Sequence, residues 1–212
     1  MVEKETFALA LQHHKKKSFK IAEDLYEKLL KINPYHFEVI FLLGSLQIQT
    51  KNFIKAIQLL KRATQIQPNH KSAHNYLGIA FYKLGELQKA IGCYEKSIQI
   101  NPNFAQAHNN LGIVFKELGE FQKAISCHEK AIQIDPNNPD ACCNLAFLYK
   151  NIDNYEKALQ YCDQALNLVS HMPKAASLKS DILSKNAPAF RDLGSGFVIQ
   201  QHSLRKYIQL QN

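Results

Sequence analysis

Residues 3 to 172 repeat with a period of 34, five times over and without a slip of register. A sustained period of that length is the mark of a solenoid, in which each unit packs only on its neighbours and the product is an extended surface rather than one enclosed pocket. Counting places from Glu3, Phe37, Lys71, Ala105 and Pro139, place seven reads Leu9, Leu43, Leu77, Leu111 and Leu145. Place eight is small every time: Ala10, Gly44, Gly78, Gly112 and Ala146. Place twenty is Ala22, Ala56, Ala90, Ala124 and Ala158, and Pro34, Pro68, Pro102 and Pro136 close four of the five units.

These constraints describe a pair of helices in each unit. The apolar steps of three and four, as in Leu77, Ala80, Phe81 and Leu84 and then Ala90, Ile91, Tyr94 and Ile98, give each helix one buried stripe. Small residues at places eight and twenty allow close approach. Bulky groups at places eleven and twenty-four (Phe81, Phe115 and Tyr149; Tyr26, Leu60 and Tyr94) fill the space between the helices. The residue before a proline is pushed out of the α region, so each proline ends a second helix. Gly85 and Gly119 mark the turn inside their units, and no run in the repeats alternates with period two. The expected fold is all-α.

The pattern L-G-x-x-Y/F, then A-x-x-x-Y, then P, at this period, resembles the tetratricopeptide repeat (TPR). The phrase AHNNLG at Ala107 to Gly112 is most similar to the repeats of O-linked N-acetylglucosamine transferases and related bacterial proteins. The resemblance implies a right-handed superhelix of antiparallel helix pairs in five units: 3–36, 37–70, 71–104, 105–138 and 139–172. Residues 173–185 read as a capping helix and 186–212 as a tail, either a docked helix or the start of a further segment. Departures sit at the ends: His13 stands where an aromatic is usual, Cys162 occupies the aromatic place of unit five, and Ser170 replaces its proline.

The same resemblance places the first helices on a concave side, with places two, five, six, nine, twelve and thirteen facing into it. Place nine then gives a largely apolar stripe of Leu11, Ser45, Ile79, Ile113 and Phe147, flanked by Asn75, Asn109, Asn110 and Asn144. An amide both donates and accepts, so a row of asparagines suits the backbone of an extended peptide. Phe41, Ile48 and Tyr82 would select side chains. Lys116 and Lys150 stand at the rim, where solvated charge is the simpler reading. The expected binding residues are thus Phe41, Asn75, Ile79, Tyr82, Asn109, Asn110, Ile113, Lys116, Asn144, Phe147 and Lys150. The co-chaperone way of gripping a C-terminal carboxylate is disfavoured, because Asp140 falls at one of the required places and would repel the ligand.

Other functions are disfavoured by what the chain carries. The net charge of +8 is uneven, basic over the first three repeats and the tail and mildly acidic over repeats four and five, and the one dense basic run, His13 to Lys17, lacks aromatics for stacking on bases, so no nucleic acid is expected. No apolar stretch reaches membrane-spanning length, and the N-terminus does not read as a secretory signal. Cys93 and Cys127 occupy equivalent places in successive units and Cys142 and Cys143 are adjacent, which suits reduced thiols and a cytoplasmic location better than stapled pairs. His74 and His108 are one unit apart, too distant to share a metal. No cofactor, metal or catalytic site is expected.

The functional expectation is a non-enzymatic scaffold that binds an extended or helical segment of a protein partner. Two alternatives stand beside it. One is the substrate-selecting region of a glycosyl-, sulfo- or methyltransferase whose catalytic part lies elsewhere. The other is self-association through residues 186–212, where Leu204 and Ile208 are spaced to share a helix face.

Overall fold

The computed structural model describes residues 2–185, which contain eleven α-helices and no strand among the described residues. Ten of them form consecutive pairs: α1 (Val2–Lys15) with α2 (Phe19–Ile32), α3 (Phe37–Gln49) with α4 (Phe53–Ile66), α5 (Lys71–Lys83) with α6 (Leu87–Ile100), α7 (Ala105–Glu117) with α8 (Phe121–Ile134), and α9 (Pro139–Asn151) with α10 (Tyr155–Leu168). The last helix is α11 (Pro173–Lys185). Helices α1 to α8 form one compact body and α9 to α11 another, divided between Asn137 and Asn138. The expected tail lies outside the described residues.

In the three middle pairs, the glycine at place eight and the bulky residue at place twenty-four meet. A Cβ added to Gly44 would come within 2.8 Å of Leu60, one on Gly78 within 2.6 Å of Tyr94, and one on Gly112 within 2.8 Å of His128. Such distances leave no room for a methyl group without movement, so glycine sets the spacing of α3–α4, α5–α6 and α7–α8. Tyr26, Leu60, Tyr94 and His128 are all buried, as are all five alanines of place twenty.

The hairpin turn is as regular as the packing. Place fifteen holds Lys17, Lys51, Gly85, Gly119 and Asp153, and all five adopt positive φ, from 57° to 78°. The left-handed conformation is intrinsic to the turn. Glycine supplies it without a steric penalty in only two of the five.

Between pairs, the first helices of the first body form one layer, α3 beside α5 and α5 beside α7. The junction is tied by side chains whose job the sequence did not announce. His74 and His108 each hydrogen-bond the carbonyl of the proline six residues earlier, Nε2 lying 2.8 Å from Pro68 O and 2.9 Å from Pro102 O. A carbonyl can only accept, so Nε2 carries the proton in both rings. Their recurrence is therefore the recurrence of a turn clasp. His70 caps α5 through Nδ1, which accepts from the Ala73 N–H at 3.1 Å, and Asn138 caps α9 in the same way from Ala141 N–H at 3.0 Å.

Candidate functional site

In the first body the exposed side of α3, α5 and α7 carries a stripe of half-buried apolar groups: Phe41 and Ile48 on α3, Tyr76, Ile79 and Tyr82 on α5, and Ile113 on α7. Phe41, Ile48, Tyr76, Ile79 and Tyr82 rest on a core cluster that includes Leu77, Phe81, Leu111 and Val114, leaving one side of each group open. Phe41 stacks on Phe37 with centroids 6.0 Å apart and meets Tyr76 edge-on at 5.4 Å and His70 at 5.2 Å. The stripe is thus held by its own contacts before any ligand arrives.

The asparagines behave differently from the expectation, and two of them are corrected. Asn75 is fully buried, and its Oδ1 accepts from Asn110 Nδ2 at 3.0 Å. Asn109 turns toward the second helix of its own pair, where its Oδ1 accepts from His128 Nδ1 at 2.9 Å. Burial keeps Asn75 from a peptide backbone, its Nδ2 lying buried without a partner among the described residues. The side-chain oxygens of both asparagines are engaged by neighbouring helices, so each helps hold the helices together. Asn110 remains half-buried, its Nδ2 committed to Asn75.

A rule emerges that the period alone did not show: place five of one repeat meets place six of the next. Phe41 with Tyr76 and Asn75 with Asn110 are two instances, one apolar and one polar. Place twelve likewise meets place thirteen of the next repeat. His14 and Gln49 approach to 3.0 Å, and the Tyr82 hydroxyl donates to the Glu117 carboxylate. Burial and then that carboxylate push the Tyr82 hydroxyl up to about 12, so it stays a donor. The place-by-place pattern does not single out Tyr76 or Glu117; the signal that finds them is the pairing of places across repeats.

Lys116 is half-buried on α7. The remaining expected residues belong to the second body. Asn144 is half-buried, Phe147 is 42% exposed, and the half-buried Lys150 pairs its ammonium with Asp181 of α11.

The five cysteines are free thiols. Burial pushes Cys93, Cys127 and Cys142 up to about 11 and Cys162 to about 12, which keeps them protonated and weakly nucleophilic. Among the described residues no three His, Cys, Asp or Glu side chains converge as a metal site, and no helix is long and apolar enough to cross a membrane.

Comparison with known proteins places this geometry. A family model described as TPR repeat matches residues 80–119, and models described as tetratricopeptide repeat match 105–138 and 129–160. A model described as anaphase-promoting complex, cyclosome, subunit 3 matches 15–97. No curated protein matches the chain significantly. Among solved structures, MamA is similar with 29% identity and a TM-score of 0.68, covering 75% of this chain and 93% of its own. TTC0263, a thermophilic TPR protein of Thermus thermophilus, is 23% identical with a TM-score of 0.70 over 85% of this chain and 98% of its own. YrrB, described as a TPR protein with an unusual peptide-binding site, is 20% identical with a TM-score of 0.65 over 82% and 90%, a likeness of fold. The helix pairs, their register and these matches identify the repeats of this chain as tetratricopeptide repeats.

Proposed function

We propose that the chain is a non-catalytic scaffold that takes up an extended or helical segment of a protein partner on the first-helix side of its repeats. The observation that carries this is the stripe of Phe41, Ile48, Tyr76, Ile79, Tyr82 and Ile113, which stays half-exposed across three successive first helices. Contiguous open apolar surface on otherwise well-packed helices marks an interaction site. The correction to the asparagines changes the kind of recognition. With Asn75 and Asn109 engaged internally, affinity comes from apolar side chains of the partner seated on the stripe, and backbone hydrogen bonds add less.

The test is site-specific photo-crosslinking in native lysate, with the photoreactive residue at Ile79 or Ile113 and, as control, at exposed Gln88 on α6. A partner band at the first two positions that disappears in the Phe41→Ala/Tyr82→Ala variant, with helical circular dichroism retained, supports the reading. Crosslinks only from Gln88, or bands indifferent to the double variant, would move the binding surface elsewhere.

A further inference from the structure

Place nineteen is lysine in repeats two to five: Lys55, Lys89, Lys123 and Lys157. Lys89, Lys123 and Lys157 lie over the place-eleven ring of their own repeat, at 5.5 Å from Phe81, 5.3 Å from Phe115 and 4.9 Å from Tyr149. Lys55 instead bridges Glu23 and Glu27 on α2, the second helix of the preceding repeat, at 2.6 and 2.9 Å. In repeat two this side therefore faces the preceding repeat. Repeat one breaks the rule with Ile21, which is 48% exposed.

Ile21 holds the lysine place of repeat one and His13 its place eleven, and one helical turn before His13 comes Leu9. Leu9 is 44% exposed, whereas its counterparts Leu43, Leu77, Leu111 and Leu145 are all at 6% or less. His13 Nδ1 is buried without a hydrogen-bond partner among the described residues. The outer side of α1 and α2 thus exposes two large apolar groups, Leu9 and Ile21, among polar and charged ones.

Charge indicates what fits on it. The stripe through Leu9 reads Glu5, Leu9, Gln12 and Lys16, all exposed, and runs for roughly 16 Å at the helical rise of about 1.5 Å per residue. An acid stands at one end, a base at the other and the apolar group between them. Neither Glu5 nor Lys16 forms an ion pair among the described residues, while Lys20 and Asp24 on α2 already pair with each other at 3.0 Å. A stripe of this kind is complementary to itself when run antiparallel: Glu5 of one copy faces Lys16 of the other, twice, around a two-fold axis. We propose that this face binds a second copy of the chain, so that two molecules pair antiparallel through α1 and α2 and bury Leu9 and Ile21 at the centre. One helix hairpin offers a small face, so the pair is a weak, reversible one.

Sedimentation velocity of the full chain over a concentration series tests this. The weight-average mass rises toward that of a dimer, and Ile21→Lys weakens the association about tenfold. That substitution is compatible with the fold, because four other repeats carry lysine at the same place. Glu5→Lys and Lys16→Glu each weaken it, the double exchange restores it, and mixing the two single variants restores it as a mixed dimer, because each chain then presents one sign of charge. A monomer at every concentration, association indifferent to Ile21→Lys, or failure of both charge rescues overturns the proposal. So does a dimer lost only when residues 186–212 are removed, which would assign self-association to that stretch.

Discussion

Acid should loosen this protein through His128, a residue that stands where repeats one and three have tyrosine. The side chain is fully buried, its Nδ1–H is given to Asn109, and its Nε2 has no partner among the described residues in the space against Gly112. Burial first, and then the Lys116 charge, push its pKa down from 6.5 to about 3. In the unfolded chain the ring takes up a proton near 6.5, while in the folded chain it stays neutral until about 3. Between those values the unfolded state binds more protons, so stability is fully present above pH 6.5 and falls as the pH is lowered toward 3. At about 1.4 kcal/mol per pH unit in that window, moving from pH 7 to pH 5 costs about 2 kcal/mol through this one residue. The assay is urea unfolding at both pH values, followed by circular dichroism, on the wild type and on His128→Leu. Leucine fits beside a place-eight glycine, as Leu60 does beside Gly44. The variant starts less stable at pH 7, because Asn109 loses its partner, yet it should lose about 2 kcal/mol less on acidification. His14 and His70 are also lowered by burial, but they are common to both proteins and cancel in the difference. If wild type and variant lose the same stability between the two pH values, His128 is not held neutral by its burial and the reasoning fails.

The turn and the buried amide give two further expectations. Lys51 sits at φ 64° where glycine is free of strain, so Lys51→Gly should raise the unfolding free energy by about 1 kcal/mol, and Gly85→Ala, at φ 78° with open space around it, should lower it by a similar amount; thermal unfolding of both variants checks the pair of signs. Asn75→Ala should cost about 1–2 kcal/mol of stability by stranding Asn110, yet leave crosslinking from Ile79 unchanged; loss of crosslinking without loss of stability would return Asn75 to the binding surface.

Much of the fold was legible because each determinant acts over a short span. Gly78 against Tyr94, Gly85 in its turn and Ala90 between helices all lie within one repeat, so 34 residues carry their own instructions for a helix pair, and repetition confirms them. The candidate site was legible only in part. The apolar stripe at Phe41, Ile79, Tyr82 and Ile113 follows from the place-by-place pattern, and those groups are half-buried on α3, α5 and α7. The asparagines were misread because an amide serves equally well as a ligand contact or an interhelical clasp.

The all-α class, the two-helix unit, its register and the places of close helix approach follow from the amino-acid order alone, since they depend on steric rules that repeat with the period. The use of each variable place does not, and it took the packed helices to reveal it. Asn75 is buried and Asn109 half-buried at the same place five, because the fate of a side chain there is set by what the neighbouring helices present to it. Leu9 is open where Leu43 is closed for the same reason in reverse, since no preceding helix covers it among the described residues. Period encodes the scaffold through local sterics, and exposure and pairing are decided by neighbours that lie a full repeat away.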